Sequence, residues 1–141
     1  MLANLGGLDG DDRETGRDTA RDMIAIDADI VNFTPITPIP GAEDYARALS
    51  SGRLVDPDFN DFFYKPLVTH PRLSLDEVTA MHADAIDLYY SVPNIARRIV
   101  RGVLGIGRPR TSEPIPFVSR QIGAKVILAF GRWSYFQGGL S

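Results

Sequence analysis

Two short apolar segments on either side of one amphipathic stretch constrain this chain more than any other feature in it. Leu2 to Leu8 is an apolar run stopped by glycine and aspartate, which is the length and punctuation of a buried strand. Asp11 or Asp12 is placed to cap a helix whose first turn carries Glu14. In that helix Thr19, Ala20, Met23 and Ile24 recur on one face, and it should end near Ile26. Asp27-Ala28-Asp29 supplies a turn, and Ile30 to Ile36 is rich in β-branched and aromatic residues, so a second strand starts there. Strand, helix and strand make a βαβ unit. Such a unit belongs to a parallel sheet covered by helices, which two strands do not complete. The amino-terminal third therefore reads as part of something larger.

The rest of the chain reads as helices and loops. Pro35, Pro38 and Pro40 stiffen the exit from the second strand, and Gly41 turns the chain into a short helix from about Glu43 to Leu49, closed by Gly52. Arg53 to Pro71 has no periodicity but holds Phe59, Phe62, Phe63 and Tyr64, and is expected to be an ordered loop packed by its rings. Ser74-Leu75-Asp76-Glu77 is a capping box, with Leu73 and Val78 placed as a hydrophobic staple. It predicts a helix from about Leu75 to Tyr90 with Val78, Met81, Ala85, Leu88 and Tyr89 inward. Pro93 suits the first turn of a further helix with Ile95, Ile99 and Val103 inward and Arg97, Arg98 and Arg101 outward. Gly102, Gly105, Gly107 and Pro109 are expected to end it and open a linker to Pro116. A weakly amphipathic helix follows over about Phe117 to Phe136.

A composition of 44% hydrophobic and 23% charged residues is that of a folded globular chain. The formal net charge of -3 gives no argument for a nucleic-acid partner. The absence of cysteine removes disulfides, thiolate nucleophiles and cysteine-held zinc or iron–sulfur centres. The first residues lack the basic start of a secretory signal, which makes the cytoplasm the default. The apolar run Val126 to Phe130, closed by Lys125 and Arg132, falls short of the roughly 20 residues of a transmembrane span.

Few residues carry chemistry on their own. Gly102, Gly105 and Gly107 follow a helix rather than a strand and no lysine comes after them, against a dinucleotide or phosphate loop. Gly6, Gly7 and Gly10 do lie between a strand and a helix, where backbone can approach a ligand, although a plain turn accounts for them equally. His70 and His82 have only carboxylates at no recognisable spacing as potential co-ligands, so structural or surface roles are the better reading. Arg97, Arg98 and Arg101 would suit phosphate or anionic lipid, and a solvated helix face explains them as well. No serine lies in a nucleophile elbow.

The order of the motifs is more specific than any one of them. Gly7-Leu8-Asp9-Gly10-Asp11-Asp12-Arg13-Glu14-Thr15 resembles the G-F-P-G-D-T-x-E-T turn of radical S-adenosylmethionine barrels. Ile36 to Asp44 is similar to the L-T-P-L-P-G-S-E-D that ends the next strand in cobalamin-binding members. Gly52 to Asn60 resembles G-x-x-x-D-P-D-L-N, and Thr69 to Ser74 resembles H-H-P-K-M-S. The likeness continues through Tyr89-Tyr90 and Arg97-Arg98 to Gly138-Gly139.

This resemblance implies an α/β fold: a fragment of a partial (βα) TIM-like radical S-adenosylmethionine barrel in residues 1–52, followed by a mainly α-helical C-terminal extension in residues 53–141. In the family a four-iron (4Fe-4S) cluster cleaves S-adenosylmethionine to a carbon radical that abstracts hydrogen from an unactivated position, and cobalamin (B12), where used, commonly carries a methyl group. By the same resemblance the strand end at Leu5 and Gly7 would lie near the adenosyl group, with Asp11 where relatives often carry an acidic residue. Thr37 and Pro38 would stand at the carboxyl end of the next strand, where barrel enzymes build their sites. The cysteine motif and the cobalamin segment are absent, and Gly6 stands where relatives usually carry a bulky apolar residue. The chain is therefore expected to be inactive alone, a truncated or split piece whose partner is the missing N-terminal barrel and cobalamin-domain polypeptide, acting on a small-molecule substrate. Two alternatives from other classes are a non-catalytic module that completes or regulates a partner chain, and a peripheral membrane contact through the arginine-bearing helix that would suit a lipid-like substrate.

Overall fold

The computed structural model describes residues 2–55, 67–107 and 111–137, with side chains placed for 6–55, 67–107 and 111–126. The expected ring cluster at Phe59, Phe62, Phe63 and Tyr64, and Pro109, lie outside the described residues. The chain folds as two compact units, Met1–Tyr89 and Tyr90–Ser141.

The first unit contains the expected βαβ arrangement. Strand β1 (Leu2–Gly6), helix α1 (Thr15–Ala25) and strand β2 (Val31–Pro35) follow one another, and the strands pair in parallel with Leu2 opposite Val31 and Gly6 opposite Pro35. Among the described residues these two strands are the whole sheet. Along β2 the burial alternates, with Val31, Phe33 and Pro35 inward and Asn32 exposed, as it does where one face of a sheet is covered. Phe33 meets the ring of the fully buried Tyr89 edge to face at 5.8 Å, and the Tyr89 hydroxyl donates to the carbonyl of Ala28 in the turn before β2. That turn bends at Asp27, which has a φ of 55°.

Helix α2 (Glu43–Ser50) ends in a Schellman motif. Gly52, in the left-handed region at φ 67°, donates to Leu49, and Arg53 donates to Ala48. Beyond it, residues 53–55 run antiparallel to 67–69, with Val55 bonded to Leu67 and Thr69 to Arg53.

Helix α3 (Leu75–Tyr89) opens on the predicted capping box: Glu77 accepts from the Ser74 backbone at 2.8 Å, and the Ser74 hydroxyl accepts from the Glu77 backbone at 3.2 Å. Its inward residues are Val78, Met81, Ala85 and Tyr89, while Leu88 is half-buried. They pack on α1 and on β2. The close approach of α1 and α3 depends on Gly16, because a Cβ there would stand 2.5 Å from the Met81 carbonyl oxygen. This packing places α3 in the first unit, so the compact grouping ends at Tyr89.

The second unit holds helices α4 (Val92–Leu104) and α5 (Pro114–Gln137). Pro93 lies in the first turn of α4, and Gly105 ends the helix at φ 74°. Two expectations need correction. Gly102 does not end the helix: it is buried inside α4, where its missing side chain makes room for the ring of Phe117. Arg98 does not face out: it is 1% exposed, because it shares the inward face of α4 with Ile95 and Gly102. Its Nε donates to Gln121 Oε1 at 3.0 Å, and its guanidinium lies 5.7 Å from the centre of the Tyr90 ring. The fold is thus mainly helical, with one two-stranded parallel sheet among the described residues.

Candidate functional site at the carboxyl end of the first strand

Four segments far apart in the sequence meet where β1 ends. The turn that follows, Gly7 to Asp12, is built by its own aspartates. Asp11 Oδ2 accepts the backbone N–H groups of Gly7 at 2.8 Å and Leu8 at 3.0 Å. Asp12 Oδ1 accepts those of Glu14 and Thr15, both at 3.0 Å, so Asp12 rather than Asp11 satisfies the opening of α1. Hydrogen bonds from the Thr15 hydroxyl and from the Glu14 and Thr15 backbone hold the Asp12 carboxyl below its ordinary pKa.

Three side chains from the segment after α2 then grip this turn. Arg53 forms a two-pronged pair with Asp9, at 2.5 and 3.0 Å, while also donating to the Thr69 carbonyl. The hydrogen bond from Arg53 lowers the pKa of Asp9 and raises that of Arg53. Arg72 donates to the carbonyls of Gly10 at 2.6 Å and Asp11 at 3.0 Å. The buried His70 stands 2.7 Å from the Leu8 carbonyl through Nε2, and its Nδ1 accepts from the backbone of Arg72 and Leu73. A carbonyl only accepts, so the Nε2-protonated neutral tautomer is the form that satisfies all three contacts. On the far side, Arg13 pairs with Glu77, and the Ser74 backbone followed by Arg13 keeps the Glu77 carboxyl below its ordinary pKa.

Beneath the turn lies a small cavity lined by Gly6, Asp11, Thr15, Gly16, Thr19 and His82 among others, with room of about 20 Å³, enough for one water molecule. His82 Nδ1 lies 2.8 Å from the Val78 carbonyl and must be the protonated nitrogen, which leaves Nε2 as an acceptor, buried and without a partner. It points at Gly6, where a Cβ would stand 2.8 Å from Nε2. A residue with a side chain at position 6 would therefore displace the imidazole.

The sequence-predicted positions fall around this turn. Gly7 and Asp11 are brought together by their hydrogen bond, and Thr37 and Pro38 follow the end of β2, beside Gly6 through the Ile36 to Gly6 bond of 2.8 Å. Leu5 lies in β1 opposite Thr34. Thr37 turns its hydroxyl back to the Pro35 carbonyl, and Pro38 is buried. At φ 86° Gly7 is in the region that favours glycine, and its open side faces Val78, since a Cβ would lie 3.1 Å from that side chain. Sequence reasoning does not single out Arg53, Arg72 or His82 for this site. The signal for the first two is weak: they face carboxylates and carbonyls 44 and 62 residues away.

Among the described residues no group of three or more His, Asp or Glu side chains is gathered to hold a metal ion. Neither histidine offers an accessible nitrogen, since His70 is bonded at both and His82 Nε2 is buried. No family model, curated protein sequence or solved structure matches the chain.

Proposed function

We propose that this chain is the C-terminal part of a cobalamin-type radical S-adenosylmethionine enzyme, supplying a stretch of barrel wall and its helical extension to a polypeptide that holds the metal centre. The observation that carries this reading is convergence. The segments 7–15 and 69–74, the start of 36–44 and the described residues 52–55, each from a stretch similar to a motif of that family, come together at the carboxyl end of one parallel strand through His70, Arg53, Arg72 and the Ile36 bond to Gly6. Barrel and open α/β enzymes build their sites at that end of the sheet.

The residues present do not by themselves fit the cofactors the family uses. A chain without cysteine cannot hold a four-iron cluster, no accessible histidine nitrogen is available to cobalt, and a cavity for one water does not admit an adenosyl group. No chemical step is assigned to this chain alone. Its contribution is positional: Asp11, Arg53, His70 and Arg72 fix the turn after β1, and that turn fixes the end of the strand which would border the adenosyl group in the assembled enzyme.

The DNA immediately upstream tests the proposal. A cysteine motif is expected there, in frame or across a frameshift, and the polypeptide encoding it should copurify with this chain as an iron–sulfur complex that cleaves S-adenosylmethionine under reducing conditions. An upstream region with no such motif, and a chain that associates with no iron–sulfur polypeptide, would overturn it.

A further inference from the structure

The net charge of -3 conceals a division that follows the two compact units. Residues 1–89 carry seven Lys and Arg against seventeen Asp and Glu, whereas residues 90–141 carry eight against one, Glu113. The first unit is therefore at -10 and the second at +7. The basic unit also holds seven of the eleven large apolar side chains exposed among the described residues: Val92, Val100, Leu104, Ile106, Ile115, Ile122 and Val126 are all at least 45% exposed, and Ile115 reaches 78%.

These side chains are ordered along the helices. On α4, Val92, Ala96, Val100 and Leu104 follow at four-residue spacing and sweep through about 120° of the helix, on the side away from Ile95, Arg98 and Gly102. Arg97 and Arg101 border that stripe. On α5, Ile115, Ile122 and Val126 fall within about 40° of one another, away from the buried Phe117 and Gln121, with Arg120 also exposed.

From this pairing of apolar stripes with concentrated positive charge, we propose that residues 90–141 bind the surface of an anionic lipid bilayer. Isoleucine, valine and leucine side chains enter the headgroup boundary while arginines meet lipid phosphate, which is the composition of an interfacial helix. A nucleic acid would use the charge but offers its phosphates no reason for bare aliphatic stripes. Among the described residues no helix is long and apolar enough to cross a membrane, so the contact lies along the surface. The binding does not use Arg98, which is committed to Gln121 and Tyr90. It goes beyond the assignment to the radical enzyme family and stands without it.

The test is sedimentation of the full chain with vesicles of phosphatidylcholine alone or of phosphatidylcholine mixed with phosphatidylglycerol. Recovery with the anionic vesicles, weakening as salt is raised, is expected. Arg97→Gln with Arg120→Gln should weaken partitioning roughly fivefold per arginine. Val100→Ser with Leu104→Ser should abolish it at an unchanged melting temperature, since both side chains face solvent. Should the serine variant fold poorly, the arginine variant and the salt dependence decide. Equal recovery with neutral vesicles, no recovery, stronger retention by nucleic acid, or a self-association that the serine pair dissolves would each overturn the proposal.

Discussion

Gly16 and Gly102 occupy equivalent places in the two units, the closest approach of two helices, and differ in what they face. Gly16 lies against backbone, the Met81 carbonyl oxygen, whereas Gly102 lies against the edge of a ring, Phe117. The polar contacts divide in the same manner. In the first unit, partly exposed arginines and one histidine from distant segments fasten a single turn, and in the second one buried arginine sits inside a pair of helices. A backbone contact cannot yield without moving a helix, while a ring can rotate. The first unit should therefore be the less tolerant of added volume.

The glycines offer the largest effect. Gly16→Ala should destabilise the first unit by about 3 kcal/mol, the upper end for overpacking, because the alanine gain in helix propensity of about 1 kcal/mol does not offset separation of α1 from α3. Gly102→Ala should cost about 1 kcal/mol after the Phe117 ring adjusts. Chemical denaturation of both variants measures the difference, and the reverse order would break the comparison.

Removing a central polar group comes next. Arg98→Ala strips Gln121 of its buried donor and should cost about 2 kcal/mol, with faster amide exchange concentrated in α4 and α5. His70→Ala leaves the Leu8 carbonyl and two backbone donors unmatched, for a similar loss of about 2 kcal/mol seen instead at residues 7–12 and 70–73. Exchange that spread evenly through both units in either variant would contradict their separate anchoring. Ser74→Ala, which removes half of the capping box, should cost about 1 kcal/mol and fray the first turn of α3.

Acid sharpens the contrast with the smallest effect. Asp9, Asp12 and Glu77 have folded-state pKa values below the ordinary 3.8 and 4.5. Their stabilisation is complete above those ordinary values and is lost as pH falls through the lowered ones, when the unfolded chain has already taken up its protons. All three lie in the first unit, Asp9 and Asp12 exposed and Glu77 half-buried, so the loss is modest. Amide exchange between neutral pH and about pH 3 should loosen the turn at Gly7 to Asp12 and the start of α3 before it reaches α4.

Local signals made most of the elements legible. The capping box at Ser74, the glycines after α2 and α4, and the β-branched and aromatic run of β2 each depend on residues a few positions apart, and each element begins and ends within a few residues of where its sequence places it. What escaped was tertiary. Arg98 lies between two other arginines, so charge spacing points it to solvent, yet its neighbours Ile95 and Gly102 determine its face. Gly102 reads as a breaker until Phe117 is known to need its space. The grip of Arg53, His70 and Arg72 on the β1 turn joins segments with no shared pattern. The opposing charges of the two units vanish from a whole-chain sum, and only a running count along the sequence reveals them.

In the proposed enzyme, β1 and β2 are two strands of a sheet whose other strands belong to another polypeptide. Amide hydrogen exchange across residues 2–6 and 31–35 of the isolated chain measures it most directly. Exchange there should be orders of magnitude faster than in α3, together with concentration-dependent association through the strand edges. Slow exchange matching that of α3 in a monodisperse monomer would contradict it.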